Sequence, residues 1–558
     1  MRGSDVGDVW WKSAVFYCAD VQTFQDSDGD GQGDLRGMTD RLQYLADLGV
    51  TVLWLMPLYP TAGRDDGYDI TDFLGVDPRL GDLGDFVELV RTANACGIRV
   101  IVDFVMNHTS DRHPWFRSAR RSTDDPYRDY YVWSATEPRS SKAEVVFPDK
   151  EDSIWELDEK TGEYYLHHFY RTQPDLNVAN PRVREEIAQT LGFWLQLGVS
   201  GFRIDAVPFL FATDSYPGAD PGSFDPFRYL GEVRDYVTRR IGDAALLGEV
   251  NLPYAGQKDF FGGDDGDGLN LQFDFNGMQA LYLSLARQDA GPIAAALRER
   301  PDLDITSQWA NFVRNHDELT LDKLTTAERK EVFAAFGPEP HMQLFDRGLR
   351  RRLPPMLGGD QRRIRSVYSL MFSLPGTPVL FYGEEIGMGE NLDVEGRLAV
   401  RTPMQWSAAE NGGFSTAARR RLPRPVVTGE YGPEQVNAAD QRRDPDSLWA
   451  FIRTLIHRYR QMPELGWSEV EVLDHGTPAV LAHVARRDEW RMLAVHNLGA
   501  ATATVDLRLE DAAGLVLDDV LGAAGQQPVG DGGRVRLVLE PYEGRWLRVL
   551  APGQEPFA

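Results

Sequence analysis

The chain has 558 residues, 42% apolar and 26% charged, a balance that supports a sizeable core at a length beyond one ordinary domain. Acidic residues outnumber basic ones by 85 to 59, and the resulting charge of −26 repels phosphate, which disfavours nucleic acid and anionic membrane as partners. Two cysteines, Cys18 and Cys96, exclude a disulfide-rich scaffold and a Cys-type zinc site.

The elements alternate from the start. Val15–Cys18 reads as a strand, and Met38, Leu42, Leu45 and Leu48 set an apolar stripe on one helix that Gly49 stops. Val52–Met56 is a buried strand. Asp85 is placed to cap a helix carrying Phe86, Leu89, Val90 and Ala93, which Gly97 ends before the strand Val100–Phe104. Further strands are expected at Gly201–Asp205, Ala245–Glu249, Leu269–Phe275, Gln308–Arg314 and Thr377–Tyr382. Eight strands, most of them separated by helices, predict an α/β fold, the closed (β/α)8 TIM barrel. An open doubly wound sheet fits less well, because no glycine-rich phosphate loop follows any strand.

Two stretches break this rhythm. Residues 108–174 are polar and aromatic without a crossover helix, and predict a subdomain inserted after strand three; 1–107 and 175–468 are then the barrel. From 469 to 558, alternating strands such as Met492–His496, Ala503–Leu507, Arg534–Leu539 and Arg545–Val549 predict a C-terminal β-sandwich. No apolar run reaches the roughly eighteen residues of a membrane span, and the polar start Met1–Asp8 lacks a secretory stretch, so the expected location is the cytoplasm.

Catalytic groups of such barrels sit at the C-terminal ends of strands. Here those ends carry Asp103 with Asn107-His108, Arg203 with Asp205, Glu249, and Asn315-His316-Asp317-Glu318. A single acid at such a place is usually a cap or a solvated charge; four coincident strand ends are not. Paired carboxylates with histidines, and neither a metal-ligand set nor a Ser-His pair, suit glycosidic cleavage. Arg203, two residues before Asp205, points to the same side of the strand and would keep that acid ionised and oriented as a nucleophile, whereas Glu249 needs a raised pKa to donate a proton.

In family order the chain carries Asp103-Phe-Val-Met-Asn-His108, Gln173-Pro-Asp-Leu-Asn177, Gly201-Phe-Arg-Ile-Asp205, Gly248-Glu249 and Arg314-Asn-His-Asp317. Over almost its whole length it resembles the α-amylase superfamily, glycoside hydrolase family 13. The resemblance implies Asp205 as nucleophile, Glu249 as general acid/base and Asp317 as transition-state stabiliser. It also implies that His108, Arg203 and His316 line the glucose site, with Asp65 and Tyr68 as the clasping acid and stacking tyrosine. Asp103 and Asn107 match bracing positions. Non-catalytic relatives lack catalytic acids or carry a membrane helix; this chain keeps all three acids.

Asp26, Asp28, Asp30 and Asp34, with the backbone carbonyl of Gln32, have calcium-loop spacing, although Gly37 stands where an EF-hand needs a glutamate and a strand precedes the loop. Relatives carry a similar loop, which implies structural Ca2+; no organic cofactor is expected. The forms Gln173–Asn177, Phe312–Leu321, Leu374–Met388 and Val400–Trp406 resemble trehalose synthases and α-glucosidases, with Glu318 and Arg401 matching an entrance pair of the former. The stretches Phe211–Asp220 and Val250–Tyr254 depart from trehalose synthases around the leaving group. They favour an α-glucoside hydrolase with transfer activity that forms a covalent β-glucosyl ester on Asp205, with trehalose synthase as the alternative. A small α-glucoside is the expected partner, and the oligomeric state stays open, a homodimer included. Trp155 and Phe169 are the better candidates among the aromatics for a sugar contact, although packing is the expected role of both, and the basic run Arg419–Arg421 with Arg424 reads as a solvated face.

Overall fold

The computed structural model describes residues 9–139, 145–210, 224–468, 470–522 and 525–557. The start Met1–Asp8 and the whole of the divergent stretch Phe211–Asp220 lie outside them. Eight parallel strands close into a barrel in chain order: Phe16–Ala19, Val52–Leu55, Arg99–Phe104, Gly201–Ile204, Ala245–Gly248, Leu271–Phe273, Gln308–Phe312 and Thr377–Phe381. The first pairs with the last, Phe16 opposite Val379, which removes both sheet edges. Nearly every strand residue is buried on both faces, as expected of strands enclosed by helices. Gly201 opens the fourth strand at φ +153°, and a Cβ there would lie 2.0 Å from the Ala245 carbonyl oxygen, so only glycine lets strands four and five approach.

Local signals shift several boundaries. The stripe Met38–Leu48 is two helices, Leu35–Asp40 and Leu42–Leu48, broken at Arg41. Asp82 caps Leu83–Ala95, and Asp85 is its partner three residues on in a reciprocal capping box, not the cap itself. Phe275, expected to end a strand, instead starts the helix Phe275–Arg287 behind its cap Asp274. A four-residue helix, Val21–Phe24, stands between the first strand and the acidic loop, where a strand was expected to lead directly in.

Between strands three and four lies a three-stranded antiparallel sheet of Trp133–Ser134, Glu163–Leu166 and Trp155–Asp158. It has its own small core of Val132, Val145, Ile154, Trp155 and Leu166, so Trp155 packs inward and does not face a sugar. Beyond the barrel, a six-stranded antiparallel sheet and the pair Ala503–Arg508 with Arg534–Leu539 share a second apolar cluster including Val484, Val495, Val505, Leu507, Leu537 and Leu547. Strict alternation of exposed and buried residues in Arg534–Leu539 is the signature of a sheet with one face in that core. Among the described residues no helix is long and apolar enough to cross a membrane.

Candidate active site

The strand ends converge around one guanidinium. Arg203, 1% exposed, sits in register beside Asp103 of strand three and Leu247 of strand five. Its Nη1 lies 2.6 Å from both Asp103 Oδ1 and Asp205 Oδ1, and its Nη2 lies 2.6 Å from Glu249 Oε2. The rigid, planar donor fork therefore fixes Asp205 and Glu249 side by side. Ala206 turns the chain at φ +47°, a conformation rare for a residue with a Cβ, and so aims its N–H at Glu249 Oε2 over 3.2 Å. Asp103 is braced in turn: Trp54 Nε1 donates to it at 2.9 Å, and Tyr59 donates to its carbonyl at 2.6 Å.

Burial dominates the electrostatics. It pushes Asp205 up to about 6 against the pull of Arg203, and Glu249 up to about 7, again against Arg203. The arginine thus orients Asp205 and offsets part of the cost of burying its charge, in the sense expected from the Arg203–Asp205 spacing. Asp317 behaves differently. Burial opposes its charge too, but the Arg397 and Arg401 guanidiniums, with a hydrogen bond from His316, outweigh that cost and hold it well below the usual range. Burial lowers His316 to about 4, so the ring is neutral near pH 7 and the two arginines carry the positive charge.

Asp205, Glu249 and Asp317 all line a cavity of about 570 Å³, together with Asp65, Tyr68, His108, Phe169 and Glu318. Tyr68 stacks on His316 with ring centroids 5.8 Å apart, and its hydroxyl lies 2.8 Å from His316 Nε2. The Gln173–Asn177 motif braces this rim: Gln173 Nε2 donates to Asp65 at 3.0 Å, and Asp175 accepts from Asn107 at 3.2 Å. Phe169 faces His108 at 5.1 Å and lines the cavity, as does Phe147 of the same inserted segment.

Glu318 and Arg401 are not paired with each other. Glu318 meets Arg347 at 3.2 Å, while Arg401 reaches Asp66 at 2.6 Å, Asp317 at 3.0 Å and the His316 carbonyl at 2.8 Å. Sequence reasoning missed Arg397, whose guanidinium spans Asp317 Oδ1 at 2.7 Å and Asp65 Oδ1 at 2.8 Å. Its signal was a second arginine four positions before Arg401. Arg347 and Phe147 were also missed. Arg347 Nη1 donates to the Val146 carbonyl at 2.7 Å and Phe147 packs on Phe345 at 4.9 Å, so the inserted segment is tied to the Phe345–Arg347 turn at the cavity wall, while the exposed pair of Lys150 with Glu395 lies outside the cavity lining.

In the acidic loop, Asp26, Asp28 and Asp34 bring carboxylate oxygens within 4.8 Å of one another. Asp30 is turned to its own loop, accepting from the Gln32 N–H at 2.7 Å, and Gln32 Oε1 is buried without a partner. Three converging carboxylates and an unpartnered oxygen in a glycine-rich loop fit a hard cation.

The arrangement of two adjoining carboxylates of unequal proton affinity, one ionised acid and a stacking aromatic can cleave and remake an acetal with retention. A family model described as the α-amylase catalytic domain matches residues 21–335 and 346–467, and one described as a sucrose hydrolase-like C-terminal domain matches 491–548. The trehalose synthase/amylase TreS of Mycobacterium tuberculosis strain H37Rv is 41% identical, covering 90% of this chain and 84% of that protein. The trehalose synthase of Pimelobacter sp. strain R48 is 37% identical, covering 97% and 96%. An oligo-1,6-glucosidase of Parageobacillus thermoglucosidasius is 31% identical, covering 88% and 91%. Among solved structures, an inactive MutB double mutant in complex with isomaltulose superposes with a TM-score of 0.76 at 28% identity, covering 97% of this chain and 99% of that one.

Proposed function

We propose that this chain, which belongs to the α-amylase family (glycoside hydrolase family 13), is an enzyme that interconverts maltose and trehalose by glucosyl transfer within one cavity, with hydrolysis as its side reaction. The observation that carries the chemistry is the single Arg203 fork holding Asp205 and Glu249 at 2.6 Å each on the wall of one cavity. The outcome is read from the relatives: trehalose synthases are 37–41% identical to this chain, against 31% for the oligo-1,6-glucosidase. That ordering favours isomerisation over the hydrolase suggested by the divergent loops.

In this reading Glu249, whose proton affinity burial raises, gives its proton to the glycosidic oxygen as Asp205 attacks C1, forming a β-glucosyl ester and free glucose. Asp317, ionised beside Arg397 and Arg401, stabilises the oxocarbenium-like transition state. The freed glucose turns and returns its 1-hydroxyl to C1, with Glu249 now acting as base; water in its place gives hydrolysis. The ties that hold Val146 and Phe147 on the cavity wall limit that water. The acidic loop is read as a structural calcium site held by Asp26, Asp28 and Asp34, with Asp30 turned to the Gln32 N–H and outside the ligand set; no step of the reaction passes through it.

Incubation with maltose, followed by chromatography, tests the outcome. Trehalose as the main product, with glucose minor, is expected; glucose alone would return the enzyme to the hydrolases.

A further inference from the structure

The basic stretch near residue 420 does not behave as one surface. Arg424 is 5% exposed and sits among acids drawn from the far ends of the barrel sequence. Its Nη1 donates to Asp20 Oδ2 at 2.9 Å, just past the first strand, and to the Arg401 carbonyl at 2.8 Å. Its Nη2 pairs with Asp66 Oδ1. The other oxygen of Asp66 accepts from Arg401 Nη1 at 2.6 Å, and Arg401 Nη2 reaches Asp317 Oδ1 at 3.0 Å. A continuous chain of charge-assisted bonds therefore runs from Arg424 through Asp66 and Arg401 to Asp317.

Asp66 is the hinge of this chain. It holds φ +50°, an unusual conformation for a residue with a side chain, which persists only when its surroundings fix it. Two guanidiniums, one on each carboxylate oxygen, supply that fixation. The same turn presents the adjacent Asp65 to Arg397 at 2.8 Å, and Arg397 is the second arginine on Asp317. Both grips on Asp317 thus originate in the Asp65-Asp66 turn.

We propose that Arg424 is a positioning residue of the glucosyl-transfer reaction, acting through Asp66 and Arg401 to keep the Asp317 carboxylate in place beside Asp205 and Glu249. Without it Asp66 has one cation instead of two, Arg401 is drawn toward Asp66, and the hold on Asp317 loosens. Asp317 contributes most where positive charge develops at C1, so the loss falls on turnover more than on binding. The inference rests on the proposed site, and it does not require trehalose to be the product.

The test uses the full chain and an aryl α-glucoside, whose turnover reports glucosyl transfer to Asp205 whichever acceptor follows. Arg424→Met keeps the aliphatic stem and removes the charge; Arg424→Lys restores a cation without the fork. We expect Arg424→Met to lower kcat about tenfold or more with KM within about twofold of the parent, and Arg424→Lys to recover part of that loss. A purely structural role predicts a lower melting temperature with kcat per folded molecule unchanged, and that result overturns the proposal. So does a fall in kcat/KM carried by KM alone, or a lysine variant no better than methionine. If Arg424→Met does not fold, an Arg424→Lys protein with parental kcat overturns it as well. A parent inert toward both maltose and the aryl glucoside would fail at the proposed function itself, and this inference would fall with it.

Discussion

At the scale of single residues, the site separates two carboxylates by environment alone. Asp205 is pushed up to about 6 and Glu249 to about 7 by burial, and one guanidinium touches both. The reaction needs Asp205 ionised and Glu249 protonated. Rate therefore rises as pH climbs through the lower value and falls as it passes the upper one, giving a narrow bell in kcat/KM whose limbs belong to the coupled pair. Glu249→Gln should cost about 10²–10⁴ in kcat on substrates that need a proton and erase the alkaline limb, while Asp205→Asn should abolish turnover. A flat profile through pH 8 would remove Glu249 as the acid. These acids were legible in the sequence because each must follow a buried strand, and strands announce themselves. Arg397 and Arg424 were not, because Arg397 lies in the single 3-10 turn Gly396–Val400 and Arg424 on a loop, neither long enough to show periodicity. Arg424 meets Asp66 and Asp20 across 358 and 404 positions, a distance at which no local pattern records the pairing.

At the scale of elements, tertiary contacts overrode local grammar at identifiable places. The stripe Met38–Leu48 has helical spacing throughout, yet Arg41 takes φ −100°, ψ 0° and breaks it. The reason is that Arg41 turns to the acidic loop, donating to Gln25 Oε1 at 2.8 Å and lying 4.3 Å over the Trp406 ring. The acidic loop itself was readable from its spacing, but its dependence on the far chain was not: Ser415 donates to Asp26 Oδ2 at 2.5 Å, and the Asp26 N–H bonds the Phe414 carbonyl at 3.0 Å. The loop therefore joins the first strand-to-helix connection to the segment after strand eight. An ion bound only in the folded state adds stability by mass action, so EDTA should lower the melting temperature by a few degrees, and added Ca2+ should restore it. Identical melting curves with and without chelator would dismiss the cation reading, leaving an acidic turn held by its own N–H groups.

At the scale of the whole molecule, the barrel and the C-terminal sheet meet on two buried histidines. His483 and His496 stack 6.5 Å apart on neighbouring strands of that sheet and face the barrel helix Gln361–Ser373. His496 Nε2 lies 3.0 Å from Ser369 Oγ, His483 Nε2 donates to the Ser373 carbonyl at 3.0 Å, and Trp546 donates to the Ser369 carbonyl at 3.2 Å. Burial lowers His483 to about 4 and His496 to about 3. Both rings are therefore neutral in the folded protein at pH 7, and the unfolded chain takes up protons first as pH falls. Stability from these groups is complete above the unfolded value near 6.5 and is lost on acidification toward about 4, with roughly 3 kcal/mol at stake for His483. The buried acids act in the opposite sense. Glu249, and Glu384 at about 8, are raised by burial, and their folded forms gain stability as pH falls through the same interval. The slope of the parent protein alone therefore mixes both signs, and the informative quantity is a difference. A His483→Gln, His496→Gln variant should lose less melting temperature than the parent between pH 7.5 and 5, whatever its absolute stability at the upper value. Equal losses in the two proteins would mean that the seam does not open by protonation, and that the acid limit lies within the barrel.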